Sequence, residues 1–148
     1  MIDFSQDGEQ YHILAACPED RGKFLDIGAF HPTDKSNTRA LFERGWNGVM
    51  VEPSPVPFSK LMAEYSNIPE RIVLVNAAVT LEPGPVEMWI TDDAVSTADP
   101  AIWQKWRKDV RYDPQALTVQ GVTLEALYFD HGPFDFVNLD AEGMSVAL

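Results

Sequence analysis

Cysteine is almost absent. Cys17 stands alone in 148 residues, so no internal disulfide can form and packing must hold the chain together, as suits a reducing compartment. Basic residues are scarce too, with 11 Lys and Arg against 23 Asp and Glu, for a formal net charge of -12. A duplex-binding protein needs a basic face, so nucleic acid is not an expected partner. No apolar run approaches a membrane span. Residues 1–9 have neither the basic nor the apolar segment of a secretion signal. The expected location is the cytoplasm, with no membrane partner. His/Cys clusters at zinc spacing, a Gly-x-Ser-x-Gly elbow, a phosphate loop and internal repeats are all missing, and no metal is expected.

The chain is rich in buried-strand patterns. Its 45% hydrophobic content supports a single core over 1–148 and excludes a disordered composition. Residues 1–22 read as a polar N-terminal extension with a helical turn over 11–16. Strands are predicted over 23–29, 48–52 and 72–80, apolar enough to be buried on both faces. Between them the pattern predicts a helix over 35–44, capped by Asp34 or Ser36 and stopped at Gly45. A second helix opens at Ser54-Pro55, with Phe58, Leu61, Met62 and Tyr65 on one apolar face. Residues 81–121 read as an insertion. In it, 86–90 pairs as a hairpin with the end of the third strand, 100–107 is a short helix and 117–124 is extended. A short helix over 125–129 and a strand over 134–140 follow. This order predicts an α/β, Rossmann-like three-layer sandwich with a parallel sheet. The chain stops just after the fourth parallel strand, whose apolar edge would be bare. The expectation is either a fragment of a longer product or a homo-oligomer that covers this edge.

Two features in this frame carry chemistry. Phe24-Leu25-Asp26-Ile27-Gly28-Ala29 and Gly48-Val49-Met50-Val51-Glu52 are apolar runs ending in acids. An acid after the second strand can accept hydrogen bonds from both hydroxyls of a ribose. A glycine after the first lets backbone approach a ligand. Together they point to a nucleoside-bearing cofactor.

Asp26-Ile27-Gly28-Ala29-Phe30-His31-Pro32, followed by Ser36-Asn37-Thr38 and Glu43-Arg44-Gly45-Trp46-Asn47-Gly48, resembles the FkbM family of methyltransferases. Val51-Glu52-Pro53, Val75-Asn76-Ala77-Ala78-Val79, Val122-Thr123-Leu124-Glu125-Ala126-Leu127 and Leu139-Asp140-Ala141-Glu142-Gly143 are similar to later segments of that family. They stand in the same order, over roughly residues 23–143. The resemblance implies a class I methyltransferase fold, S-adenosylmethionine as donor, and O-methylation of a sugar, glycan or natural-product hydroxyl. The chain departs from the pattern in its reduced glycine loop, where His31-Pro32 replaces later glycines, and in the missing C-terminal part of the fold.

On this reading Asp26, Gly28, Ala29, Glu52, Pro53, Asn76 and Ala77 line the donor. Asp26 orders the loop and holds the donor's amino group, Glu52 takes the ribose, and Asn76 and Ala77 flank the adenine. Asp140 or Glu142 serves as general base toward the acceptor hydroxyl or binds a divalent cation, although such a cation wants six or more oxygens. Asp140 can equally cap a following helix. His31 is a third candidate base, or a loop histidine bonded to backbone. Trp103, Trp106, Arg107 and Arg111 form a candidate acceptor lid, or an amphipathic helix with Trp inward. Two other functions stay open. One is a truncated domain that binds cofactor or oligomerises without catalysis. The other is an NAD-dependent oxidoreductase, which would want Gly-x-Gly-x-x-Gly after the first strand.

Overall fold

A computed structural model of the chain describes residues 2–90, 96–106, 108 and 115–140. Four strands form a parallel sheet in the order β3-β2-β1-β7: β1 (Lys23–Ile27), β2 (Asn47–Val51), β3 (Ile72–Val75) and β7 (Phe136–Leu139). Phe24 lies level with Gly48 and Phe136, and Ile27 with Val51 and Leu139. Helix α2 (Arg39–Arg44) carries the chain from β1 to β2, and α3 (Pro55–Tyr65) from β2 to β3.

Strand alternation splits the core into two. Phe24, Met50 and Ile72 point to one face, where Leu41 and Trp46 of the α2 region, Leu61 and Tyr65 of α3, and Ile13 and Leu14 of α1 (Glu9–Ala16) cover them. Leu25, Ile27, Val49 and Val51 point to the other. Leu127 of α5 (Leu124–His131) covers them there, together with Val79 and Val122. Trp46 is 1% exposed, and its indole N–H donates to the Glu19 carbonyl at 2.9 Å. Trp46→Ala is therefore expected to cost about 3–5 kcal/mol, read as a fall in urea midpoint.

The predicted third strand divides. Ile72–Val75 stays in the parallel sheet. Ala78–Val79 (β4) leaves it for a second sheet of order β4-β6-β5, with β5 at Gly84–Ile90 and β6 at Gln115–Val122. The break falls at Asn76, whose side-chain amide donates to the Glu52 carbonyl at 2.8 Å and ties the two strand ends together. The hairpin expectation is corrected accordingly. β5 pairs antiparallel with β6, and β6 lies between it and β4. The outer layer on this face is thus a small sheet plus α5. Helix α4 (Pro100–Trp106) lies between β5 and β6 in the chain.

Two helices differ from their predicted form. α2 starts at Arg39 because Lys35 adopts a left-handed conformation (φ 56°) and Ser36 to Thr38 form a connecting loop. Ser36 Oγ still accepts from the Arg39 amide at 3.2 Å. α3 buries Pro57, Leu61 and Tyr65, while Met62 is 42% exposed. The helix is rolled so that the Tyr65 hydroxyl reaches the Pro32 carbonyl (3.2 Å) and accepts from Arg39 (3.1 Å).

At the sheet margin, β7 has β1 on one side and, among the described residues, no strand on the other. Val137 on that edge and Tyr128 and Phe129 on α5 are exposed. Among the described residues no helix is long and apolar enough to cross a membrane.

Candidate active site

In an open parallel sheet, ligands bind where the strand order reverses, beyond the carboxyl ends of the strands. Here the reversal falls between β1 and β7. One cavity opens at that point. It is lined by Gly28 after β1, Glu52 after β2, Ala77 after β3 and Asp140 after β7. Sheet order therefore sets these residues in a row: Ala77, Glu52, Gly28, Asp140.

Glu52 is 5% exposed. Its Oε1 accepts from the Ser54 amide at 2.7 Å and its Oε2 from the Phe30 amide at 3.0 Å. Phe30 takes a left-handed backbone (φ 48°) to aim that amide, a conformation that non-glycine residues rarely hold without cause. A carboxylate has about four lone-pair sites, so acceptor capacity remains for a ligand. Burial raises the Glu52 pKa above the ordinary glutamate range, against the pull of the Ser54 amide and hydroxyl and the Phe30 amide.

Asp26 forms the floor. It is 1% exposed, with Oδ2 accepting from the Thr38 hydroxyl at 2.5 Å and Oδ1 from the Asn138 amide at 2.8 Å. Asn37 in turn donates to Asn138 Oδ1 at 3.1 Å. Burial raises the Asp26 pKa, and both donors oppose that. This network joins the ends of β1 and β7 to the loop before α2.

Gly28 has φ 78°, and a Cβ there would lie 1.9 Å from the Asp140 carbonyl oxygen. Its missing side chain makes room first for the chain leaving β7. The Gly28 and Ala29 amides both donate to the Val51 carbonyl (2.9 and 3.2 Å), laying the turn across the end of β2. Asp140 keeps an open face, and the protein around its carboxyl raises its pKa.

Of the other residues singled out by sequence, Ala29 and Pro53 line the cavity, while His31, Asn76 and Trp103 do not. His31 Nδ1 accepts from the amides of Thr33 (3.2 Å) and Asp34 (3.0 Å), and burial, with Lys60 nearby, lowers its pKa. Trp103 is half-buried on α4. Glu142, Arg107, Arg111 and the Trp106 side chain lie outside the described residues. The sequence reading overlooked Asn138, Ser54, Met88 and Thr97, and the N-terminal Gln6 and Glu9, all of them in the lining. Asn138 had a signal: a polar residue in an apolar strand, two positions from Asp140 and so on the same face. No cluster of three or more His, Cys, Asp or Glu suited to a metal ion occurs among the described residues.

A parallel β/α sheet with an acid after its second strand, facing the same crevice as a tight turn after its first, is consistent with a Rossmann-like fold. Residues 26–146 match the model of the methyltransferase FkbM domain. The chain belongs to that family and is a methyltransferase. No curated protein and no solved structure matches it.

Proposed function

We propose that the chain is an S-adenosylmethionine-dependent O-methyltransferase acting on a hydroxyl of a sugar, glycan or small natural product, in the cytoplasm. The observation that carries this reading is the buried Glu52 carboxylate, held by two backbone amides in the cavity that Gly28 and Asp140 also line. When bound, S-adenosylmethionine supplies an electrophilic methyl group on a sulfonium. Glu52 accepts the ribose hydroxyls. Ala77 leaves flat space for the adenine beyond β3, and the braced Asn76 fixes the strand end beside it. Asp26 keeps the β1 turn in place through Thr38 and Asn138. The walls orient the acceptor oxygen for in-line attack, and positioning is the main contribution to rate.

With the donor bound, an acceptor oxygen would bond to the methyl carbon as the methyl–sulfur bond broke and S-adenosylhomocysteine left with the electron pair, and the Asp140 carboxylate would take the hydroxyl proton. Glu142 and then His31 follow as candidate bases. His31 ranks last because its Nδ1 already serves two backbone amides. Trp103, Trp106, Arg107 and Arg111 offer aromatic faces and cations to an acceptor. A base acts only when deprotonated, and the Asp140 pKa is raised. Activity is therefore expected to fall with acid through one ionisation above the ordinary aspartate value of about 3.9. Asp140→Asn should remove most of kcat with little change in donor affinity. Steady-state rates against pH, with release of S-adenosylhomocysteine as readout, test this.

A second reading rests on the exposed β7 edge beside Tyr128 and Phe129: a second copy pairs there, and the domain binds donor only as part of an oligomer. Sedimentation velocity would show a dimer that Val137→Lys dissociates.

A further inference from the structure

Residues 2–10 are not a loose extension. The Ser36 amide donates to the Phe4 carbonyl at 2.8 Å. Phe4 packs under the Arg39 guanidinium at 5.8 Å. Gln10 is fully buried, accepting from the Phe4 amide (3.0 Å) and donating to the Ile2 carbonyl (2.8 Å). These bonds hold Gln6 and Glu9 in the cavity wall, with Lys35 and Asn37 of the β1–α2 loop also lining it. Lys35 is the only cation among the described lining residues. Among the described residues neither Lys35 nor Glu9 joins an ion pair, although the chain carries 23 acids. Lys35 also holds a left-handed backbone, φ 56°, which a lysine does not favour. Lys35 is solvent-exposed, and at the wall of an acid-lined cavity it is placed to meet an anionic group on a ligand.

We propose that Lys35 and Glu9 read the zwitterionic amino-acid tail of the donor, Lys35 pairing with its carboxylate and Glu9 with its ammonium. The inference rests on the donor reading above and extends it. The floor acid Asp26, 1% exposed, is held by Thr38 and Asn138; in this proposal it acts as a positioning residue, and the tail is recognised from the N-terminal side. Glu9 Oε2 accepts from the Asp7 amide at 2.8 Å, and a carboxylate's further lone pairs can take the ammonium.

The test is calorimetric titration of the full chain with two ligands that share the adenosine. S-adenosylhomocysteine carries the amino-acid tail, and 5′-methylthioadenosine lacks it. Lys35→Gln and Glu9→Gln keep side-chain size and, at residue 9, the backbone contact. Each is expected to weaken S-adenosylhomocysteine by about tenfold or more while leaving methylthioadenosine within about twofold. Added salt should weaken the first ligand more than the second. Variants that bind both ligands as the wild type does, or lose both equally, overturn the proposal alone. A wild-type chain that binds neither overturns the donor reading, and this inference with it.

Discussion

Glu52→Ala is expected to abolish the stabilisation that S-adenosylhomocysteine gives the wild type. A ligand at a hundredfold excess over its dissociation constant adds about 2.7 kcal/mol. For a domain of this size that is a rise of roughly 8–12 °C in Tm. The variant should show none of it in a melting scan. Alanine leaves both the Phe30 and the Ser54 amide without their acceptor, whereas Glu52→Gln keeps one acceptor oxygen and sets its NH2 against the other amide, at a cost of about 1–3 kcal/mol. Gln is expected to stay folded at that cost and to bind at least tenfold more weakly, because it presents one acceptor oxygen where the acid has two.

The pH dependence follows from the raised folded pKa of Glu52. A carboxyl with a raised folded value favours the folded state most below its unfolded pKa, about 4.3, and that contribution is lost as pH rises through the folded value. Glutamine carries no charge at any pH and avoids this loss, so the Tm of the unliganded Glu52→Gln protein relative to wild type should rise as pH climbs from about 4 through the folded value. A difference that stays constant with pH would contradict a raised Glu52 value.

Much of this crevice was legible because its parts are local. Phe24 to Gly28 and Gly48 to Glu52 are short runs whose composition, order and terminal acids announce adjacent parallel strands, and strand ends in a parallel sheet meet on one side. The remainder depends on contacts distant in sequence. Asn138 reaches Asp26 across 112 residues, through a β1–β7 pairing that neither strand declares alone. The second sheet went unread because β4 is two residues long and its partner β6 begins more than thirty residues later. The N-terminal wall was missed because α1 has no marked apolar face. What places Gln6 and Glu9 is a buried glutamine, not hydrophobic periodicity. Met62 fits the helical period with Leu61 and Tyr65 but faces out, since the Tyr65 hydroxyl sets the roll of α3 by its bonds to Pro32 and Arg39.

Gly28→Ala should be the most damaging substitution in the site. The residue has φ 78°, and an added Cβ would fall 1.9 Å from the Asp140 carbonyl oxygen, far inside contact distance. The obstacle is backbone, so no side-chain rotation relieves it. The left-handed conformation costs an alanine about 1–2 kcal/mol. Moving the chain after β7 also sacrifices the bond from the Asp140 amide to the Ile27 carbonyl, 2.9 Å long, worth about 1 kcal/mol net. With the strain of displacement, a total of about 3–5 kcal/mol is expected. Urea unfolding should show it as a lower midpoint at unchanged slope. Methyl transfer should fall further than stability does, because the same movement carries Asp140 away from the cavity. A loss under about 1 kcal/mol would show that β1 and β7 do not meet as described.

The most direct measurement is a crystal structure of the full chain grown with S-adenosylhomocysteine. The expected result is the ribose hydroxyls on the Glu52 carboxylate, the adenine beside Ala77 and the sulfur toward Gly28 and Asp140. Electron density for the nucleoside anywhere else, or a crevice that stays closed to it at saturating concentration, would contradict the account.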